Sequence, residues 1–204
     1  MLESTAEDRY RYPEVVRRLI EDFGGKCYIC EINPLQDPEV EHLRPHKNGT
    51  IPGRKFDWNN LFLACRHCNG VKNQPKYEGR VLDCCVRDPE ELLDQGLSEN
   101  SVCVRPLVEN DEEAAGTAKL IEEVFTSSKP PLREHAAQVR LDGLQERMNL
   151  LYRAIQTLRS KPQDPMARRN LRAMLRKEAA FAGFTRCAVR KMLPRHPELG
   201  EFMQ

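Results

Sequence analysis

Cys27-Tyr-Ile-Cys30 and Cys65-Arg-His-Cys68-Asn69 bracket the stretch whose reading decides this fold. Between the two pairs lie Glu41-His42, a loop rich in Pro, Gly and basic residues, and Trp58-Asn59-Asn60-Leu61; Lys72 follows three residues after Asn69. Two Cys-x-x-Cys pairs can bring four thiolates to one tetrahedral Zn²⁺, the shell that soft sulfur ligands complete. A shell closed by four sulfurs has no open position, so such an ion holds structure and does no chemistry itself. What it is placed to hold is a polar set: Glu41, His42, Asn60 and Asn69. The alternative is four buried thiols without a metal. Cys84, Cys85, Cys103 and Cys187 lack paired spacing, and the adjacent Cys84 and Cys85 could bridge only with strain, so these four are unassigned or core.

Working outward, Pro13 to Phe23 reads as a short helix, with Pro in its first turn and Gly24-Gly25 as its stop. Glu39 to Leu43 is expected as a short strand, residues 44–57 as a loop with two prolines and two glycines, and Leu61 to Ala64 as the second strand of a hairpin. A helix should begin at Arg66. Asp88 and Pro89 predict a helix start and Gly96 its end. Val102 to Val108 leans to β structure, which Pro106 limits to an edge strand or an extended linker. Helices are expected from about Glu112 to Phe125 and, after the Lys129-Pro-Pro131 break, from Leu132 to Ser160. In the latter, Leu141, Leu144, Met148, Leu151, Ile155 and Leu158 alternate spacings of three and four. That seam suits an ordinary core helix or a second helix, of another protein or of a homo-oligomer. A basic helix from Met166 to Phe181 and a short helical end complete the chain. The fold class is α+β, mostly α, with the metal unit in residues 1–80 and an α-helical part in 81–204.

The 204 residues are enough to bury a core without disulfides. Aromatic residues at 6% are too few for platforms that stack bases along a single strand. No apolar run reaches membrane-spanning length, and Met1 to Asp8 is acidic with no apolar signal region. Paired cysteines in a chain without a signal fit metal binding in the cytoplasm better than disulfides outside it. The net charge of +1 hides an asymmetry. Residues 78–123 carry thirteen acidic against four basic side chains, and residues 132–196 five acidic against fifteen basic. These are either solvated helix faces, or a basic surface for a polyanion beside an acidic one for a partner or for self-docking.

An imidazole titrating near neutrality can take a proton from water, and a carboxylate beside it can hold a hard divalent cation, which is what Glu41-His42 offers. Asn69 at a helix start can turn its amide oxygen to the same place. Asn60 is in its plain reading a turn residue, and in its functional one the residue that fixes the loop carrying His42. His46 and His67 read as surface residues.

The order Cys-x-x-Cys, Glu-His-x-x-Pro, Trp-Asn-Asn-Leu, Cys-x-x-Cys-Asn-x-x-Lys resembles the HNH endonucleases of ββα-metal fold over about residues 27–72. The resemblance implies His42 as general base, Glu41 as the acidic ligand of a catalytic divalent ion, and Asn60 as the central asparagine. Asn69 stands where many members carry the last histidine, making an HNN variant whose amide oxygen suits Mg²⁺ or Mn²⁺. Lys72, with Arg44 and Lys47, is then expected to meet the phosphates of a DNA substrate. Three further stretches, Val81 to Glu90, Thr117 to Ile121 and Phe181 to Arg186, are similar to the nuclease subunits of Septu-type and related retron anti-phage systems. That resemblance implies an ABC/SMC-type ATPase as partner. Two other readings remain open: a zinc-stabilised nucleic-acid-binding module without catalysis, and a subunit inert until its partner binds.

Overall fold

The computed structural model describes residues 10–99, 101–128 and 130–203. The acidic start of the chain and Lys129 lie outside them. Pro13 opens α1 (Pro13–Asp22), and Gly24 and Gly25, at φ of 59° and 69°, turn the chain into Cys27. β1 (Pro38–His42) pairs antiparallel with β2 (Leu61–Cys65), setting Pro38 opposite Cys65 and His42 opposite Leu61. Between the strands, one turn of helix, α2 (Pro52–Lys55), interrupts the expected loop. Side chains on β2 alternate between two buried faces. Leu61 and Leu63 pack with Leu19 of α1, while Phe62 and Ala64 face the main core. α3 (Arg66–Lys72) follows β2 with no residue between, and the Cys65 sulfur accepts a hydrogen bond from the Cys68 amide at 3.4 Å. One cysteine thus ends the strand and caps the helix, completing a ββα unit.

Asp88 caps α4 through the Glu90 amide, but α4 (Pro89–Leu92) lasts a single turn. Where the sequence predicts the helix to continue to Gly96, β3 (Leu93–Ser98) pairs with β4 (Ser101–Pro106). The reason is burial. Leu93 and Gln95 alternate inward, and Gly96 sits opposite Cys103 within the hairpin. α5 (Glu112–Thr126) begins at an Asp111 cap and runs so close to residue 80 that a Cβ on Gly116 would stand 2.0 Å from the Arg80 carbonyl oxygen. α6 (Pro131–Ser160) is the long helix, and all six of its heptad-spaced residues are buried in the chain's own core. That seam packs against α5, α7 (Pro165–Met174) and α8 (Ala182–Met192), so its hydrophobic face is already filled within the chain. The predicted basic helix to Phe181 ends early, at Met174, and Phe181 turns the chain at φ 56° into α8.

The fold is α+β and mostly α, and its main cluster of buried side chains is continuous on both sides of residue 80. The charge asymmetry is in part self-docking. Asp88 pairs with Lys177, Glu90 with Arg186 and Arg190, and Asp94 with Lys191, each joining the acidic segment to the basic one. Among the described residues, no helix is long and apolar enough to cross a membrane.

Candidate active site

Cys27 and Cys30 leave the turn after α1, while Cys65 and Cys68 straddle the β2–α3 junction. Their four sulfurs lie within 4.8 Å of one another and all four residues are buried. Four close sulfurs in an apolar setting are the donor set of a structural Zn²⁺, so the cysteines predicted to share an ion are positioned to do so. The Cys27 sulfur accepts from the Cys65 amide at 3.4 Å. Hydrogen bonds from the Cys27, Cys30 and Cys68 thiols hold the Cys65 thiol far below its ordinary range, against the opposing effect of burial.

The hairpin and α3 carry Glu41, His42 and Asn69 of the polar set to one cleft of about 400 Å³, which His46 and Lys72 also line. His42, half-buried, ends β1. Its Nε2 lies 3.0 Å from the Lys55 carbonyl of α2; since a carbonyl only accepts, Nε2 carries the proton and Nδ1 is left as the acceptor. Burial lowers the imidazole's affinity for a second proton, and the nearby His46, Lys72 and Lys55 add to this, while the Lys55 carbonyl opposes it. A neutral His42 with a free Nδ1 has the form a general base needs. The Tyr10 ring meets its edge at 4.8 Å between centroids and the His46 ring at 4.5 Å. Although His46 reads as a surface residue, it lines the cleft and accepts from the Gly49 amide at 2.9 Å. His67 is likewise tied down, donating to the Val124 carbonyl of α5 at 2.9 Å.

Asn60 is outside the cleft and buried. Its Oδ1 accepts from the Arg44 amide at 2.7 Å, and its Nδ2 donates to the carbonyls of Arg44 and Arg54 at 2.9 and 2.8 Å. It thereby staples both ends of the loop that follows His42. Asn69 faces the cleft from α3, with Nδ2 on Glu39 Oε2 at 2.8 Å and Oδ1 accepting from Asn73 at 3.0 Å. Arg44 and Lys47 are exposed, and Lys47 pairs with Glu78 at 3.1 Å.

Lys72 is turned inward rather than toward a phosphate. It is 2% exposed, and its three N–H groups reach Glu41 Oε1 at 2.5 Å, the His42 carbonyl at 2.5 Å and the Leu43 carbonyl at 2.7 Å. Tyr28 donates to the other Glu41 oxygen at 2.8 Å. Burial pushes the Glu41 carboxyl up, and Lys72 and Tyr28 pull it back toward the charged form. An ionised carboxylate has about four lone-pair positions, of which these bonds use two, and the Asn69 oxygen uses one of its two. Glu41, though only 1% exposed, and Asn69 both line the cleft, and their oxygens are of the hard kind that a divalent ion such as Mg²⁺ takes. Replacing Lys72 by methionine should leave Glu41 buried without its cation and cost about 3–5 kcal/mol in a denaturant melt. Adding Glu41→Gln should recover part of that loss; equal stability of all three proteins would show that the pair is not coupled.

Sequence reasoning missed Tyr28, Glu39 and the Lys55 carbonyl as partners of the set. Only Glu39 had a local signal, standing two residues before Glu41 on the same face of a strand.

Residues 27–74 match the family model described as HNH endonuclease. The chain is 35% identical over 63 residues to the Septu protein PtuB of Bacillus thuringiensis, an alignment covering 29% of this chain and 24% of that protein. The chain thus matches about a quarter of the length of that curated relative. No solved structure matches. The hairpin, the helix α3 and the sulfur cluster all fall within the matched segment 27–74, which is similar to the HNH endonucleases.

Proposed function

We propose that this chain is a metal-dependent endonuclease that hydrolyses phosphodiester bonds of DNA and serves as the cutting component of an anti-phage defence system. The observation that carries the reading is the meeting of Glu41, a neutral His42 and Asn69 around one open cleft. In this reading residues 1–80 cut, and residues 81–204 bind nucleic acid, dock a partner, or do both. The scissile phosphate enters the cleft beside Glu41 and Asn69, and His42 Nδ1 takes a proton from the attacking water while Nε2 stays anchored on Lys55. A hard divalent ion held by Glu41 and Asn69, Mg²⁺ or Mn²⁺, supplies electrostatic stabilisation of the phosphate's developing charge. Asn60 and Lys72 act through the backbone, fixing the loop after His42 and the carbonyls of residues 42 and 43. Lys47 at the cleft, the exposed Arg44 two residues after His42, and the exposed Arg153, Arg159, Arg169 and Arg176 with no ion pair among the described residues, suit the backbone of a polyanion.

The similarity to a Septu protein supports a role in defence, and an ATPase of the ABC/SMC type is the partner this reading expects. The test is nicking of a supercoiled plasmid by the purified chain with Mg²⁺ or Mn²⁺. Activity should appear with the ion, vanish with EDTA and return on adding the ion back. A chain that shifts DNA but never cuts it, alone or co-expressed with such an ATPase, would instead be a zinc-stabilised binding module. Cutting confined to the complex would identify a partner-dependent subunit.

A further inference from the structure

We propose that Arg140 is the counter-cation of the four-cysteine metal centre, so that helix α6 is part of that centre. The inference rests on the reading of the cysteines as a zinc site. Arg140 is 8% exposed, and its Nη2 lies 2.9 Å from the Cys65 sulfur. Its Nη1 donates to the Ala136 carbonyl at 2.6 Å within α6, and its Nε has no hydrogen-bond partner among the described residues. No carboxylate pairs with it among the described residues, unlike the other buried arginine, Arg186, which holds Glu90.

A buried guanidinium without an anion is costly, and so is a buried cluster of four thiolates around a single divalent ion, which carries a net charge of two minus. Each answers the other. Backbone N–H groups already donate to the sulfurs of Cys27 and Cys65, but amides bring no formal charge. Arg140 is the group that does, through a charge-assisted bond to a coordinating sulfur. Groups that hydrogen-bond metal ligands set their orientation and basicity, and losing one typically weakens metal binding 10- to 100-fold. Two turns earlier on the same face of α6, Arg133 donates to the Gly70 carbonyl of α3 at 2.9 Å. Arg133 therefore docks the same helix on the same unit without touching sulfur, and it is the natural control.

The experiment follows zinc transfer from the full-length chain to a chromophoric chelator. Arg140→Met and Arg140→Gln, both neutral, should release zinc at least about ten times faster than the wild type, with Arg140→Lys in between. Arg133→Met should stay within about twofold of the wild type, because it loosens docking alone. In the cobalt-substituted protein, the sulfur-to-cobalt charge-transfer band should move in both neutral Arg140 variants and not in Arg133→Met. Two neutral variants are used so that one failing to fold leaves the other to decide. Wild-type release rates in the neutral variants, or equal acceleration by Arg133→Met, would overturn the proposal. A wild-type chain carrying no zinc would instead remove the metal reading on which it stands.

Discussion

Replacing His42 by alanine is expected to lower DNA cleavage by about 10³-fold while leaving the folded chain and its zinc content unchanged. The size follows from the loss of a positioned general base, which is worth about 10²–10⁴ in rate. The selectivity follows from the packing. His42 is half-buried, and its ring's one hydrogen bond among the described residues, from Nε2 to the Lys55 carbonyl, spans the loop that Asn60 already holds by three bonds of its own. The ring therefore leaves without taking the loop with it, and thermal melts of variant and wild type should lie within a few degrees. A variant that cuts at the wild-type rate would transfer the base to another group. His46, whose ring lies 4.5 Å from that of His42, is then the first to substitute.

Cys65→Ser is expected to do the opposite, removing zinc and fold together. Serine is itself a good helix cap, so it can replace the sulfur as acceptor for the Cys68 amide, and the loss reports on the metal rather than on the cap. A structural zinc contributes on the order of 10 kcal/mol or more to the folded state, comparable with the whole stability of a domain. Metal analysis should find the variant depleted, and circular dichroism should show helix lost well beyond the seven residues of α3, because β2 and α3 lie in the continuous core. Retention of zinc with a normal melt would mean that three sulfurs and a water suffice.

What the sequence discloses is what is local. The cysteine spacing, Pro13 with Gly24 and Gly25, the Asp88 cap, and the apolar strand before Cys65 are each read within a few residues, and the structure carries all of them. The same locality misleads at residues 93–98. The cap signals announce one turn, and only pairing with β4 decides that the chain then extends. The partners of the candidate site were out of reach for the same reason. Tyr28 meets Glu41 across 13 residues, Glu39 meets Asn69 across 30 and Arg140 meets Cys65 across 75. Lys72 shows the limit most plainly. Its spacing after Asn69 suggests a phosphate contact, and packing against β1 makes it an internal cation instead.

The seamless junction of β2 and α3 has a consequence for how such chains can vary. Cys65 ends the strand, begins the helix and offers its sulfur to the metal, so the spacing from sulfur to Asn69 and Lys72 is counted in whole residues with no slack. An insertion there would rotate α3 by about 100° per added residue and carry Asn69 out of the cleft. Residues 49–53, which do not line the cleft, have no such phase to keep. Length differences among relatives should accumulate there and be purged from residues 61–72.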